Sequence, residues 1–406
     1  MAKQFTSRMG CSSMSHQLID RSADLKRLRD EGYEVEVRAN YLLVHSVPYV
    51  NAQIQIAFGT LVSELTLAGD VAVQPSTHVI HFAGSHPCAK DGAPIIQISH
   101  ASATQQLVPG LVVQHSFSNK PPNGYANYYE KMTRYIEIIS APAKALDPKA
   151  DARTFKLIEP SDDSSVFRYF DTASSRAGIM ALSAKLAPLR IAIVGLGGTG
   201  SYVLDLVAKT SVREIHLFDD DLFLQHNAFR APGAASLDDL RRQLTKVQYL
   251  HDLYSKMRSG IVPHPVRIDD SNVHHLHEFD FVFVCVDKGS VRKLILDALC
   301  AQRASFVDVG MGVEMTADGK LWAICRITAG TEGKTDHLDT RVPMADAELD
   351  AAYTQNIQIA DLNALNAAMA VIKWKKIVGV YDDTDREHHS TYSTNFHLLT
   401  SEERAA

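Results

Sequence analysis

A run of glycines between a predicted strand and a predicted helix is the segment best suited to chemistry. Gly195, Gly197, Gly198 and Gly200 lie in the segment GLGGTG, and Asp219 ends the next predicted strand. Glycines let the main chain approach a phosphate, and the N-terminus of a helix favours its negative charge. An acidic residue at the position of Asp219 usually binds ribose hydroxyls. To this point a nicotinamide-dependent oxidoreductase fits the pattern.

The residues after the second strand favour a different reaction. Asp221, Asn227, Arg230, Lys246 and Asp287 follow in that order, and Asn227 and Arg230 share one face of a helical turn. Hydride transfer does not need these groups, whereas attack of a carboxylate on an α-phosphate does. Arg230 and Lys246 can neutralise charge on the phosphoryl oxygens, and Asp221 and Asp287 can hold Mg²⁺. The products would be an acyl-adenylate and pyrophosphate.

As a set, the segments GLGGTGS, LFDDD, HNAFR, TK and CVDK in residues 195–288 resemble the ThiF/MoeB and ubiquitin-activating enzyme superfamily. The resemblance covers about residues 164–380. It implies ATP and Mg²⁺ as cofactors, with phosphate at Gly197 and Gly198 and ribose at Asp219. It also implies that Asn227, Arg230 and Lys246 contact phosphates, that Asp221 and Asp287 hold Mg²⁺, and that Arg176 reaches the ATP of the partner subunit in a homodimer. From the residues alone, a structural ion pair explains Arg176 equally well.

The cysteines depart from the family pattern. Zinc-bearing members carry two CxxC pairs, and the five cysteines of this chain include none, so we expect no structural zinc. Thioester-forming members often place a cysteine after the strand predicted at 321–327, but residues 326–406 contain no cysteine. Cys325 lies within that strand, where a buried thiol is poorly reactive. Three routes stay open: an exposed Cys325, an oxyester on Thr331 or Thr335, or direct transfer from the adenylate to a partner.

The elements that must position these residues alternate between strands and helices. Continuous apolar runs at 190–194 and 281–286 are typical of buried parallel strands. We therefore predict an α/β fold, with a doubly wound Rossmann-like adenylation domain over 164–400. Further strands are predicted at 214–218, 305–309 and 321–327, helices at 201–210, 290–302 and 358–378, and a polar connection at 328–356.

A smaller, strand-rich α+β domain is predicted over 1–145, followed by a proline-containing linker over 146–163. Helices are predicted at 17–31 and 125–139, strands at 34–37 and 41–45, and short apolar runs at 78–82, 95–98 and 111–115. The phrases LKRLRDEGYEVEV, HSVPYV and LTLAGD resemble the extra domain fused to such modules in bacterial ubiquitin-like conjugation operons, some linked to phage defence.

Two groups of histidines are interpreted as structural. His78, His81, His86 and Cys88 match the spacing of no common metal site, so ordinary sheet or loop residues are favoured. The pair His388-His389 near the C-terminus is predicted to be solvated.

Composition excludes several classes of protein. The chain has 406 residues and a formal net charge of -6, which gives no sign of a nucleic-acid or membrane-surface binder. The first sixteen residues contain no apolar core of a signal peptide, and no apolar run approaches the about 20 residues that span a bilayer. We expect a cytoplasmic protein.

The sequence thus predicts an ATP-dependent adenylyltransferase. By resemblance its substrate is the C-terminal glycine of a ubiquitin-like protein, which is then transferred to a conjugating-enzyme-like partner, in a role that could include antiphage defence. The N-terminal domain would bind the carrier or the partner, or support dimerisation. One rival is a sulfur-carrier adenylyltransferase of cofactor or tRNA biosynthesis, which lacks the extra domain. Others are an NAD-dependent Rossmann oxidoreductase and a non-catalytic binding module, which leave Arg230, Lys246 and Asp287 unexplained.

Overall fold

The computed structural model describes residues 18–157, 165–177, 179–346 and 357–404. These residues form two compact units. The N-terminal unit comprises the described residues up to 157 together with 169–176. The C-terminal unit comprises 165–168 and the described residues from 177 onward. The predicted linker falls partly on residues 158–163, and the predicted connection partly on 347–356, both of which lie outside the described residues.

The N-terminal unit is built on a six-stranded antiparallel sheet in the order β1-β2-β3-β6-β8-β7. Its long helix α2 packs against β2, and the apolar faces of α1 and α2 close one core with the sheet. The elements are α1 (Ala23–Asp30), β1 (Val35–Arg38), β2 (Tyr41–Val50), β3 (Ile56–Glu64), β4 (Leu67–Ala68), β5 (Val71–Ala72), β6 (Val79–Ala83), a 3₁₀ helix (Ile96–Ile98), β7 (Ser99–Val108), β8 (Leu111–Ser118) and α2 (Tyr128–Leu146).

Three features of this unit differ from the sequence expectations. The apolar run at 95–98 contains a single 3₁₀ turn, Ile96–Ile98, and strands β3 and β7 were not predicted. Helix α2 continues to Leu146 through Pro142, although proline removes one helical hydrogen bond. Burial of Tyr135, Ile139 and Ala143 along one face of α2 outweighs that loss.

The C-terminal unit carries an eight-stranded mixed sheet in the order β11-β10-β9-β12-β13-β14-β15-β16. The first five strands in this order are parallel and the last three join them antiparallel. The strands are β9 (Arg190–Val194), β10 (Glu214–Phe218), β11 (Ile261–His264), β12 (Phe281–Val284), β13 (Phe306–Met315), β14 (Leu321–Gly330), β15 (Glu387–Ser393) and β16 (Leu398–Arg404). The predicted Rossmann-like α/β class is confirmed.

Helices cover both faces of the parallel strands, so β9, β10 and β12 are buried on both sides and read as continuous apolar runs. The chain order reverses between β9 and β12, where ligands bind in open α/β sheets. Helix α3 (Thr172–Ala177) belongs, up to residue 176, to the N-terminal unit. The helices of the C-terminal unit are α4 (Met180–Ala184), α5 (Gly198–Ala208), α6 (Gln225–Ala228), α7 (Leu237–Arg241), α8 (Lys246–Tyr254), α9 (Gly289–Ala301), α10 (Leu338–Arg341) and α11 (Ala360–Ile377), with a 3₁₀ helix at Val273–Glu278.

The prediction that His388 and His389 are solvated is wrong. Both lie in β15 and are 7% and 5% exposed. His389 Nδ1 is 3.0 Å from the Thr328 hydroxyl, and His388 Nε2 is 3.1 Å from the Thr331 hydroxyl. Strands β15 and β16 were missed because their sequences are polar; β15 pairs with β14, and β16 pairs with β15.

Within the described residues, no helix has the length and apolar character needed to cross a membrane.

Candidate active site

The glycine loop connects β9 to α5, and its glycines are required for different reasons. Gly195 has a φ of +88°, and a Cβ there would lie 2.6 Å from the Cys285 carbonyl oxygen. A Cβ at Gly200 would lie 1.9 Å from the carbonyl oxygen of Gly195. At Gly197 a Cβ would meet no atom within 4 Å. The absence of a side chain at Gly197 therefore serves no packing purpose, and it leaves the N-terminus of α5 open to a phosphate.

Helix α11 supports the loop through a buried amide. Asn363 is fully buried, and its Oδ1 accepts a hydrogen bond of 3.0 Å from the Thr199 hydroxyl. A Cβ at Gly198 would lie 2.0 Å from Asn363 Nδ2, so glycine is needed there for close packing of α11. The sequence analysis missed Asn363, although an asparagine on the apolar face of a predicted helix is a signal that could have identified it.

Asp219 links the loop to the end of β10. Its carboxylate accepts the main-chain N–H of Leu196 at 2.7 Å and that of Asp221 at 2.9 Å. Lys246, the first residue of α8, places Nζ 2.6 Å from Asp221 Oδ2 and 3.3 Å from Asp219 Oδ1. The hydrogen bond from Lys246 lowers the pKa of the Asp221 carboxyl, although burial acts in the opposite direction. An ammonium and two carboxylates are thus held beside the glycine loop.

These groups line a cavity of about 270 Å³ at the carboxyl ends of the parallel strands. Of the residues named from the sequence, it contains Gly195, Gly197, Asp219, Asp221, Arg230, Lys246 and Asp287. The lining also includes Phe218, Asp220 and Lys288, which lie in the segments LFDDD and CVDK but were assigned no role from the sequence. The sequence analysis missed Arg267, Ile268 and Gln358. Two buried atoms, Arg230 Nε and Gln358 Oε1, have no hydrogen-bond partner among the described residues. An unpaired buried donor next to a cavity is typical of a group that binds a ligand.

The structure does not bring Asn227 to this cavity. Asn227 is 4% exposed, and its Oδ1 accepts a hydrogen bond of 2.8 Å from the main-chain N–H of Leu224. It therefore stabilises the turn of α6, three residues before Arg230. Arg176 lies in α3, and its side chain falls outside the described residues.

Carboxylates suited to a hard cation lie at the cavity. One oxygen each from Asp219, Asp220 and Asp221 come within 4.8 Å of one another, and within the described residues no other three His, Cys, Asp or Glu side chains do so. Asp287 lines the same cavity from the segment that follows β12. Mg²⁺ prefers a few carboxylate oxygens together with substrate phosphates, so the donor set fits this ion.

A second cavity of about 240 Å³ adjoins the first. The two share Gly197, Cys285, Val286, Asp287 and Gln358, and the second extends to Gly198, Thr199, Arg292, Val309, Gly310, Met311 and Asn366. Arg292 donates hydrogen bonds of 2.9, 2.6 and 3.0 Å to Asp308 and to the carbonyls of Val286 and Pro343. The charge of Arg292 is therefore used to hold the loop that carries Asp287.

The candidate nucleophiles lie away from both cavities. Cys325 is fully buried in β14, and this burial raises the pKa of its thiol to about 11. Thr331 follows Gly330, which pairs with Phe306 at the start of β13. Thr331 is thus at the amino-terminal edge of the parallel strands, whereas Asp287 follows the carboxyl end of β12.

In the N-terminal unit, Cys88 is buried, and His86 packs against His115 and Phe117.

Comparisons with known proteins cover both units. Residues 23–172 match a domain of unknown function, DUF6791. A curated relative, the adenylyltransferase and sulfurtransferase UBA4 of Saccharomyces cerevisiae (strain YJM789), is 26% identical over 141 residues, which are 34% of this chain and 31% of that protein. The chain thus spans about a third of the length of this relative.

Solved structures with a similar fold include E. coli MccB with ATP, at 18% identity, a TM-score of 0.46, and coverage of 56% of this chain and 67% of that one. PaaA gives 15% identity, a TM-score of 0.44, and coverage of 55% and 76%. Residues 174–405, more than half of the sequence, match the ThiF family. The chain therefore belongs to the ThiF family.

Proposed function

We propose that this protein is an ATP-dependent adenylyltransferase that activates the C-terminal glycine of a ubiquitin-like protein. The observation that carries the proposal is the cavity of about 270 Å³ that Arg230 lines and in which Lys246 pairs with Asp219 and Asp221, beside the open main chain of Gly197. An oxidoreductase has no use for these two cations, whereas phosphoryl chemistry depends on them.

Each group has a place in the reaction. Asp219 binds the ribose hydroxyls, and the main chain at Gly197 with the N-terminus of α5 binds phosphate. Asp221 and Asp287 would hold Mg²⁺, which would supply positive charge against the phosphates. Lys246 then exchanges its contact with Asp221 for the phosphoryl oxygens. Arg230 donates its unpaired Nε–H to them as well. The substrate carboxylate attacks the α-phosphorus, pyrophosphate leaves, and an acyl-adenylate forms.

The acyl group then passes directly to a conjugating-enzyme-like partner. Cys325 is fully buried with a raised thiol pKa, so it is a poor nucleophile. Thr331 lies at the other edge of the sheet from Asp287. Thr335 directly follows Lys334, which pairs with Thr331, so it lies near Thr331 at that same edge. None of the three residues supports a covalent intermediate on this chain, and direct transfer is therefore the favoured route.

We further propose that the protein acts as a cytoplasmic homodimer in which Arg176 contacts the ATP of the partner subunit. Large apolar side chains are exposed beside Arg230, namely Leu222, Leu224 and Phe229, the last 78% exposed. Such a group of apolar side chains is typical of a protein interface.

The N-terminal unit binds the carrier or the conjugating partner, in a system that defends bacteria against phage.

A second candidate function is activation of a sulfur-carrier protein. It is favoured by the name of the relative UBA4, an adenylyltransferase and sulfurtransferase. The chemistry at the α-phosphate is the same, and only the fate of the adenylate differs. Formation of a thiocarboxylate on the carrier, detected by mass spectrometry, would support this candidate over conjugation.

ATP–pyrophosphate exchange tests the proposal. The assay uses the full chain with and without a glycine-tailed ubiquitin-like protein encoded beside the gene. We expect exchange that requires the carrier, is lost in Lys246→Ala, and is retained in Lys209→Ala. Lys209 is the matched control because it is an exposed lysine, paired with Asp205 on the helix that follows the glycine loop. Absence of exchange with the carrier would overturn the proposal.

A further inference from the structure

The N-terminal unit contains a cavity of about 740 Å³ that the proposed reaction does not use. The turn after α1 and the start of β1 form one part of its lining, and the segments 155–157 and 169–173 of the same unit form another. Lining side chains that are aromatic or large and aliphatic are Tyr33, Val35, Phe155, Leu157, Tyr169 and Phe170. A concave lining of this kind favours the binding of another molecule.

Phe155 has a backbone conformation that a phenylalanine rarely adopts. Its φ of +47° lies in the left-handed region, and its main-chain N–H donates to the Gly32 carbonyl at 3.0 Å. The Phe155 ring lies over Gly32, where a Cβ would come within 2.5 Å of Phe155 Cε1. Phe155 is nevertheless 69% exposed, so burial within this chain does little to offset the strain. Strain of this kind is typical of residues that bind a ligand or a partner.

Arg29 supplies a polar group at the same cavity. The residue is 6% exposed, and it lies in the cavity lining. Its Nη1 donates to the Asp20 carboxylate at 2.6 Å and its Nη2 to the Ser175 hydroxyl at 2.6 Å. The third donor, Arg29 Nε, is buried and has no hydrogen-bond partner among the described residues. A carbonyl oxygen of a bound molecule would satisfy this donor.

The charges at the cavity are already paired. Both cations among the described lining residues have carboxylate partners: Lys156 Nζ is 2.5 Å from Glu34 Oε1, and Arg29 is paired with Asp20. A buried phosphate or other anion needs cations to neutralise its charge. The lining therefore favours a ligand without net charge over a nucleotide.

Exposed apolar side chains indicate a ligand that is larger than the cavity. Leu157 is 68% exposed and Tyr169 is 40% exposed, in addition to Phe155. A small molecule enclosed by the cavity would leave much of this apolar surface in contact with water, whereas a polypeptide can fill the cavity and also cover its rim. Phenylalanine, tyrosine and arginine are also enriched in the parts of protein–protein interfaces that contribute most to affinity.

We propose that this cavity binds an uncharged, apolar segment of a partner polypeptide. The segment inserts an apolar side chain into the cavity, covers Phe155 and Leu157, and offers a main-chain carbonyl oxygen to Arg29 Nε. Every described lining residue belongs to the N-terminal unit. The site therefore goes beyond the proposed function and exists whether or not the C-terminal unit adenylates a carrier.

The test uses the full chain and the blocked dipeptide N-acetyl-Leu-Phe-amide in an NMR titration that observes the dipeptide. This probe has two apolar side chains, main-chain carbonyls and no charge. We expect saturable binding with a dissociation constant of about 1 mM or lower. N-acetyl-Gly-Gly-amide keeps the main chain without the side chains, and we expect it to bind at least about tenfold more weakly.

A protein variant locates the binding. Phe155→Gly removes the ring, and glycine suits a φ of +47°, so the melting temperature should stay within about 4 °C of wild type. We expect the affinity for the dipeptide to fall by about tenfold. Phe58→Ala is the matched control, because Phe58 lies in β3 of the same unit, is also mostly exposed and is not among the described lining residues. It should change the affinity by less than about twofold.

Four outcomes would overturn the inference. They are no saturable binding of N-acetyl-Leu-Phe-amide, an equal loss of affinity in Phe58→Ala and Phe155→Gly, and binding of toluene as tight as that of the dipeptide, which would indicate a small apolar ligand. The fourth is a dimer that light scattering detects in wild type and not in Phe155→Gly, which would make a second copy of the chain the occupant. Failure of ATP–pyrophosphate exchange would overturn the proposed function alone, because these binding measurements do not depend on it.

Discussion

The N-terminal unit buries Lys131, the C-terminal unit buries Lys246 and Lys373, and Lys131 and Lys246 differ in what surrounds them. In the N-terminal unit Lys131 is fully buried, and Nζ donates to the Ser63 hydroxyl at 2.9 Å and the Thr77 carbonyl at 2.8 Å. In the C-terminal unit Lys246 is 7% exposed, faces two carboxylates and lines a cavity. Burial of a charge therefore does not by itself indicate a functional site.

The surroundings decide the role of each charge. Neutral acceptors satisfy Lys131 inside a closed core, and burial lowers its pKa to about 8. Lys246 is balanced by carboxylates that can bind a cation instead, so a ligand can release it. The comparison teaches that a buried charge is available for chemistry when its partner is exchangeable and a cavity adjoins it.

Exchanging each lysine for methionine should separate the two roles, with the largest effect expected in this protein. We expect Lys246→Met to reduce ATP–pyrophosphate exchange by about 100- to 1,000-fold, because one group that stabilises transition-state charge is lost. We expect Lys131→Met to leave the exchange rate of the folded protein within about twofold. A larger loss of exchange in Lys131→Met than in Lys246→Met would break the comparison.

Sequence patterns predicted the lining residues near the glycine loop better than the lining residues that come from distant elements. The parallel strands β9 and β12 were identified because burial on both faces gives continuous apolar runs. The structure brings seven of the residues predicted from the sequence to one cavity, namely Gly195, Gly197, Asp219, Asp221, Arg230, Lys246 and Asp287. They were predicted together because adenylation requires those residue types in that order along the chain. The pattern was not sufficient for Asn227, which stabilises a turn.

The missed residues come from elements that are distant in sequence. Gln358 and Asn366 reach the cavities because α11 packs across β13, and Arg267 does so through the segment after β11. Tertiary packing sets these distances, and no local pattern records it. Polar strands such as β7 and β15 were missed for a related reason, since pairing with neighbours gives them their structure in place of an apolar face.

The free energy of unfolding should depend on pH through Lys131, the buried lysine of the N-terminal unit. The pKa of Lys131 in the folded protein is about 8, below its ordinary value of 10.5. Between these values the unfolded chain holds a proton that the folded chain lacks, so the free energy of unfolding rises with pH. Below pH 8 both states are protonated and the full cost of burying the charge is present. The expected gain from pH 8 to 10.5 is at most about 3 kcal/mol.

Lys131→Met should lack this gain. Urea unfolding at several pH values, followed by circular dichroism, gives the difference in unfolding free energy between wild type and variant. The fluorescence of Trp322 and Trp374, the two tryptophans of the chain, reports the C-terminal unit separately and should be unchanged by the substitution. A wild-type minus variant difference that stays constant from pH 8 to 10 would show that Lys131 is not perturbed by its burial.

Substitutions in the glycine loop should give the smallest effects on ATP binding and stability. They compare two positions within the C-terminal unit. We expect Gly197→Ala to weaken ATP binding by about tenfold without lowering the melting temperature, since its Cβ meets no atom of the protein but stands where phosphate would approach. Gly200→Ala should instead lower the melting temperature, because its Cβ would collide with the Gly195 carbonyl. Calorimetric titration with ATP and thermal unfolding measure the two effects. If Gly197→Ala bound ATP normally, the open main chain there would have no role in binding phosphate, and Lys246 and Arg230 would have to hold the nucleotide without it.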